Sequence, residues 1–383
     1  MLISAERGLT PDGRLEPLWL RIQDGRIAES GTGTPPGPAD LHHSHGVLSP
    51  GFVDVHCHGG GGADFTQGAE GARTVRSTHL AQGTTTMLAS LVSAPQDVLL
   101  EQIKELKPLV DSGELAGVHL EGPWLAPGRS GAHDPEVLTN PETAAAEQLL
   151  GQGAIRMVTI APELPGALET ISAVSSAGAV AAVGHTDADY RQTQDALAAG
   201  ATAGTHLFNA MAGLHHREPG PIPALLEAGA WLELIADGVH LHPAVLDMVF
   251  TTAPEKTVLV SDAMAASGIG DGDYTLGGLE VRVADGEARL RGPDGAVGAI
   301  AGSTLSLSAA LRHSVLEAGV PTAQALQAAT AHPARMIGLS DTGALSPGNR
   351  ADLVLLNDQL LVEGVMRAGQ WVSDGQGNTD PGL

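Results

Sequence analysis

Cysteine is nearly absent from this sequence: Cys57 is the only one in 383 residues. An intrachain disulfide framework is therefore excluded, and so sparing a use of thiols fits a reducing compartment. Basic residues are scarce as well. Lys and Arg number 20 against 44 Asp and Glu, a formal charge of −24. That balance argues against nucleic acid, whose binding rests on clustered cations facing phosphates. No stretch approaches the roughly 18 apolar residues that a membrane span requires. Met1–Pro50 has no basic segment followed by an apolar run, as a secretory leader would. The expectation is a soluble, cytoplasmic protein with neither a nucleic-acid nor a membrane partner. An anionic substrate would have to be drawn in by a few local positive groups, so any Arg or His beside a site carries extra weight.

Hydrophobic residues make up 43% and charged residues 17%, a globular balance. Eight short runs rich in Val, Ile, Leu, Thr and Ala alternate with stretches of helical period. The runs are Gly51–Gly59, Gly83–Ser90, Ala116–Pro123, Ile155–Glu163, Ala179–Thr186, Ala203–Met211, Trp231–His240 and Thr257–Ala263. Gln96–Val110 and Pro141–Leu150 repeat Leu and Ala every three to four residues, and Pro221–Ala230 opens on a proline suited to a first helical turn. Strand and helix repeated eight times predict an α/β fold, a (β/α)₈ TIM-like barrel over residues 49–339. A doubly wound open sheet is the competing fold. Gly270–Gly298 reads as a β insertion with turns at Asp271-Gly272, Asp285-Gly286 and Asp294-Gly295. The two ends, Leu2–Val47 and Gly343–Gly377, are strand-like, with turns at Asp12-Gly13 and Asp24-Gly25. They predict one small β-sandwich domain built from residues 1–48 and 340–383.

Ligand-type residues fall at the C-terminal ends of the predicted strands, the face where barrel enzymes carry their sites. The first run ends His56-Cys57-His58; residues two apart in a strand share a side, so the imidazoles converge and Cys57 faces the helices. Glu121, His185, His206 and Asp262 end the third, fifth, sixth and eighth runs. Four imidazoles and two carboxylates on one rim suit one or two divalent cations, Zn²⁺ or Fe²⁺. Each has a plain alternative: HxH pairs arise by chance, Glu121 before Gly122-Pro123 could cap a loop, and a lone His can be a satisfied core residue. Coincidence at five strand ends outweighs those alternatives. His42, His43 and His45 precede the barrel and read as surface residues, His119 as a core histidine, and Cys57 as a buried, inert thiol.

With these residues in view, the sequence resembles the N-acetylglucosamine-6-phosphate deacetylases of the amidohydrolase superfamily. The resemblance rests on PGFVDVHCHG (Pro50–Gly59), HLEGPW (His119–Trp124), GAH (Gly131–His133), VGHTDA (Val183–Ala188), THLFNAM (Thr205–Met211), HHREPG (His215–Gly220), ADGVH (Ala236–His240), SDA (Ser261–Ala263) and AGS (Ala301–Ser303). It implies that Glu121, His185 and His206 bind the principal metal, that His56 and His58 serve a second site, and that His133 stabilises an oxyanion. It further implies substrate contacts from Ala132, Asn209, Ala210, His240 and the Ile300, Ala301, Gly302 segment. Arg217 of HHREPG is the expected phosphate ligand, since a guanidinium offers a planar fork of donors; the alternative is an ion pair with Glu218. Family members often form homodimers, and this is expected here. Relatives that bridge two metals with a carbamylated lysine need one at a strand end. Lys104, Lys107 and Lys256, the only lysines, are not so placed.

The expected reaction is hydrolytic deacetylation of N-acetylglucosamine 6-phosphate. A bound cation lowers the pKa of water toward ~7, and Asp262 takes its proton and returns it to the departing amine. The alternatives are an amidohydrolase acting on N-acetylgalactosamine 6-phosphate or another small amide, or a scaffold that kept the barrel without its chemistry.

Overall fold

The computed structural model describes residues 1–292 and 295–372. All eight predicted strands are present and parallel: β1 (Phe52–Asp54), β2 (Thr84–Val92), β3 (Gly117–Glu121), β4 (Ile155–Ile160), β5 (Val180–Val183), β6 (Ala203–Gly204), β7 (Trp231–Ile235) and β8 (Thr257–Val260). Each pairs with its sequence neighbour, β1 beside β2 through to β7 beside β8. The ring closes past the strand ends. Asp54 Oδ1 accepts from the main-chain N–H of both His56 and Ser261 at 3.3 Å. Asp262 N–H then donates to the His56 carbonyl, and His58 N–H to the Ala263 carbonyl, at 2.8 Å each. The fold is thus the (β/α)₈ barrel, not the open sheet.

Strands buried on both faces need apolar residues throughout, and every residue of β2 is buried. The covering helices bury one stripe each. In Gln96–Asp111 the stripe is Leu99, Ile103, Leu106 and Leu109. Tyr190–Ala199 starts on a capping box between Asp189 and Gln192. No helix among the described residues is long and apolar enough to cross a membrane.

The ends of the chain form one continuous eight-stranded sheet, in which Val47–Pro50 runs antiparallel to Leu353–Leu356. Its separate core includes Ile3, Leu20, Leu48, Leu353 and Met366. Asp24 and Gly25, both at positive φ (51° and 74°), turn the hairpin between Leu15–Gln23 and Arg26–Thr32. The expected strand-like stretch to Gly377 is described only as far as Val372.

Two expectations are corrected. His43 is buried, not a surface residue: Leu41–His43 pairs with Leu2–Leu9, and His43 Nε2 donates to the Leu356 carbonyl at 2.9 Å. The β insertion is a four-stranded antiparallel sheet in which Asp271-Gly272 makes no hairpin. Gly272 begins the first strand and Gly277-Gly278 makes the turn, while the Asp271 carboxylate accepts from the N–H groups of Asp285 and Gly286. The Asp285-Gly286 turn lies where expected; Asp294 lies outside the described residues.

Candidate active site

The predicted ligands meet at one mouth of the barrel. Glu121, ending β3, is central and buried. Its Oε1 lies 3.0 Å from His206 Nε2 and 3.1 Å from His185 Nε2. Its Oε2 lies 3.0 Å from His58 Nε2 and 3.2 Å from His133 Nε2. His56 and His58 bring their Nε2 atoms within 3.2 Å of each other, and Asp262 Oδ1 stands 3.5 Å and 3.4 Å from them. Two donor groups, His56–His58–Glu121 and Glu121–His185–His206, are each compact enough to hold one ion.

The backbone aims these side chains. His185, His206 and Asp262 follow β5, β6 and β8 with φ of 48°, 28° and 48°. Non-glycine residues rarely adopt such values, at about 1–3 kcal/mol each; the reversal stops each strand and turns its side chain over the mouth. Gly302 is required beside them. Its φ is +62°, and a Cβ there would lie 2.9 Å from the Asp262 carbonyl oxygen.

The remaining ring nitrogens decide whether a cation fits. His185 Nδ1 donates to the Arg129 carbonyl at 2.7 Å, His58 Nδ1 to the Ser90 carbonyl at 3.2 Å, and His56 Nδ1 to Glu233 Oε2 at 3.0 Å. These partners only accept, so each ring carries a proton on Nδ1. A neutral ring then directs an Nε2 lone pair at carboxylate oxygens, and positive charge must lie between them. Burial disfavours the imidazolium form, yet Glu121, Asp262 and Glu233 hold His56 well above its ordinary value, and Asp262 and Glu121 hold His58 up at about 9. A divalent cation replacing those protons meets the same need, and mixed imidazole and carboxylate donors suit it. The residues fit a metal.

Asp262 would be raised by burial, but His56 and His58 hold it down at about 2, so it is ionised at neutral pH. His133 differs from the ligands. Ser93 N–H donates to its Nδ1 at 3.2 Å, which puts the proton on Nε2. Burial holds this imidazole down at about 4, leaving a neutral donor suited to a developing oxyanion.

A cavity of about 330 Å³ opens beside the cluster, lined by Ala132, His133, Asn209, Ala210, His240, Ile300 and Gly302 together with His58, Glu121, His185, His206 and Asp262. Ala301 is fully buried behind it. His240 is fixed by Asp237, whose Oδ2 accepts from Nδ1 at 2.7 Å and whose Oδ1 accepts from the His240 N–H at 2.8 Å. Arg217 is not brought in: it is exposed, bonded to His216 Nε2 at 2.9 Å, and outside the cavity lining of its own chain. Nor does it pair with Glu218 among the described residues.

His119 and Cys57 lie where expected. His119 is a core residue, bonded to Ser90 Oγ and Thr159 Oγ1 at 2.9 Å each. Cys57 faces the Gly68–Leu80 helix, 3.4 Å from His79 Nε2, with burial pushing its thiol well up. Sequence reasoning missed Arg129, Leu276 and Glu233. Arg129 lines the cavity and pairs with Asp187 at 2.6 Å; it stands three residues before the recognised Ala132. Leu276 reaches the cavity from the β insertion. Glu233 had a legible signal, a lone carboxylate inside the otherwise apolar run of β7.

Residues 47–372 match the Amidohydrolase family. The chain is 39% identical to an N-acetylgalactosamine-6-phosphate deacetylase of Escherichia coli O157:H7, covering 97% of this chain and 99% of that one. It is 37% identical to the human N-acetylglucosamine-6-phosphate deacetylase, over 86% and 84% of the two chains. A solved structure of a mutant Mycobacterium smegmatis N-acetyl-D-glucosamine-6-phosphate deacetylase, in complex with N-acetyl-D-glucosamine-6-phosphate, superposes with a TM-score of 0.93 at 44% identity, over 97% and 98% of the chains.

Proposed function

Because the chain belongs to the amidohydrolase family, we propose that it hydrolyses N-acetylglucosamine 6-phosphate to glucosamine 6-phosphate and acetate. The observation that carries the reading is the Asp262 carboxylate at 3.4–3.5 Å from the His56–His58 pair, on the mouth shared with Glu121, His185 and His206.

His56, His58, Glu121, His185 and His206 would hold one or two divalent cations, zinc or iron, with Glu121 serving both groups. When bound, the cation supplies an acidified water and polarises the acetyl carbonyl. Asp262 accepts the water proton as the oxygen bonds to the carbonyl carbon. His133 Nε2–H donates to the carbonyl oxygen as it becomes negative. Asp262 then returns the proton to the nitrogen, the C–N bond breaks, and the amine leaves neutral.

Asn209, Ala210, His240 and the Ile300–Gly302 segment receive the sugar phosphate, with His240 a cation of the cavity wall beside Arg129. Arg217, exposed and absent from its own cavity, is proposed to grip the phosphate in the cavity of a second copy, which makes the working form a homodimer. The reduced, buried Cys57 is compatible with work in the cytoplasm.

The galacto epimer is the second reading, favoured by the 39% identical relative that carries that name. Acetate release from both epimers, each with and without the 6-phosphate, tests the assignment. A higher kcat/KM for the phosphorylated gluco sugar is expected. Preference for an unphosphorylated sugar, or no acetate from any of them, would overturn it.

A further inference from the structure

Glu233 is a carboxylate inside the barrel that the reaction does not use. It lies mid-way along β7, its neighbours there are apolar, and it is fully buried. Its Oε2 accepts from His56 Nδ1 at 3.0 Å and from the main-chain N–H of His206 at 3.2 Å. Its Oε1 is buried with no partner. A buried carboxylate oxygen without a partner is destabilising, so packing alone does not account for a glutamate here. The His206 N–H would be served equally by a neutral glutamine. What a carboxylate adds is a full negative charge on the far side of the His56 ring.

We propose that Glu233 is a positioning residue that fixes His56 as its Nδ1–H tautomer, with Nε2 free toward Glu121 and Asp262, and so sets the cation affinity of the His56–His58–Glu121 group. The inference rests on the reading of these histidines as metal ligands. A carboxylate behind a ligating imidazole locks the ring's orientation and raises its basicity, and its loss weakens a site by about 10- to 100-fold. Because the same oxygen holds the His206 main chain, Glu233 also ties the backbone of one donor group to the ring of the other.

The test is titration of chelator-stripped full-length protein with Zn²⁺ or Co²⁺, by calorimetry and elemental analysis, in the parent, Glu233→Gln and Glu233→Leu. Expected is a 10- to 100-fold weaker affinity in one donor group for both variants, with the other group within about threefold. The nitrogen-15 NMR spectrum of the zinc-loaded parent should hold a protected His56 Nδ1–H signal, identified by its absence in His56→Ala. It should be displaced in Glu233→Gln and lost in Glu233→Leu. In a His56→Ala background, Glu233→Gln should change the remaining affinity less than about twofold. If Glu233→Leu fails to fold, Glu233→Gln, which keeps the size and the acceptor, decides. Titration of Glu233→Gln indistinguishable from the parent would overturn this inference alone. A parent that takes up no cation would overturn the metal reading with it. Neither readout depends on which sugar is the substrate.

Discussion

The Arg129 carbonyl oxygen accepts from His185 Nδ1 across 2.7 Å, so the ring that faces Glu121 is oriented by main chain and not by a replaceable side chain. Substituting Arg129 should leave the tautomer intact, whereas substituting the ring removes the ligand. His185→Ala is expected to cost the Glu121–His185–His206 group its ion, lowering metal content by one ion per chain or abolishing it. Arg129→Ala should retain the metal, and His56→Ala should lose only the ion of the His56–His58–Glu121 group. Elemental analysis of the three variants reads this directly. Complete loss of metal in His56→Ala would show that the two groups are not separable.

Asp262 is the proton carrier of the proposed reaction and touches the ligands only at 3.4–3.5 Å. Asp262→Asn keeps the shape and removes the base. A positioned general acid–base group contributes about 10²- to 10⁴-fold, and kcat should fall by that amount with metal content nearly unchanged. Turnover within tenfold of the parent would remove Asp262 from this role.

Much of this site was legible because a barrel brings distant strand ends to one rim. Once eight apolar runs were recognised, the ligand-type residues closing five of them, from His58 to Asp262, had only one place to go. The cavity wall was less legible. Leu276 belongs to an insertion whose turn fell at Gly277-Gly278 and not at the Asp-Gly pair expected. A strand shift of a few residues changes which side chain meets the cavity. His43 was misjudged because its burial depends on Leu356, 313 residues away, in a sheet made from both ends of the chain. Arg217 was assigned from the HHREPG motif and guanidinium chemistry, and the path of its loop is set by packing that no local pattern encodes.

Gly302 lies against the backbone of Asp262, the proposed proton carrier. A Cβ would sit 2.9 Å from the Asp262 carbonyl oxygen, at a φ of +62°. Gly302→Ala should cost about 1–2 kcal/mol through the left-handed backbone alone and displace Asp262 as well. A lowered melting temperature together with a lowered kcat is expected. A variant with parental turnover would show that the segment yields freely.

The Asp237–His240 pair predicts a pH dependence. Burial lowers the His240 imidazolium, but the hydrogen bond and charge of Asp237 outweigh it and hold His240 above its ordinary 6.5. Burial would raise Asp237, yet His240 holds it below its ordinary 3.8. The stabilisation from raised His240 is complete below 6.5 and is lost as pH rises through its folded value. That from Asp237 is present above 3.8 and is lost as pH falls through its depressed one. Since a phosphate monoester becomes a dianion above about pH 6, KM for the phosphorylated sugar should be lowest between there and the raised value of His240. Asp237→Asn should bring the alkaline rise in KM to lower pH. An unchanged profile would place His240 away from the phosphate.

Arg217 stands exposed on a loop outside its own cavity, and a phosphate contact from it requires a neighbouring copy. Arg217→Ala should therefore raise KM for the phosphorylated sugar far more than for unphosphorylated N-acetylglucosamine. A charge-assisted hydrogen bond of about 1.5–3 kcal/mol corresponds to a rise of roughly 10- to 100-fold. Mixing distinguishes a shared site from a local one. At substrate well below the raised KM, where Arg217→Ala and Asp262→Asn chains are each impaired alone, mixed dimers of the two should recover activity. In one of the two cavities an intact Asp262 would then meet an intact Arg217 from the partner subunit. Sedimentation should show a dimer in the parent. A monomer, or mixed chains no more active than their average, would return the phosphate grip to residues of the same chain, with Arg129 the cation already in the cavity wall.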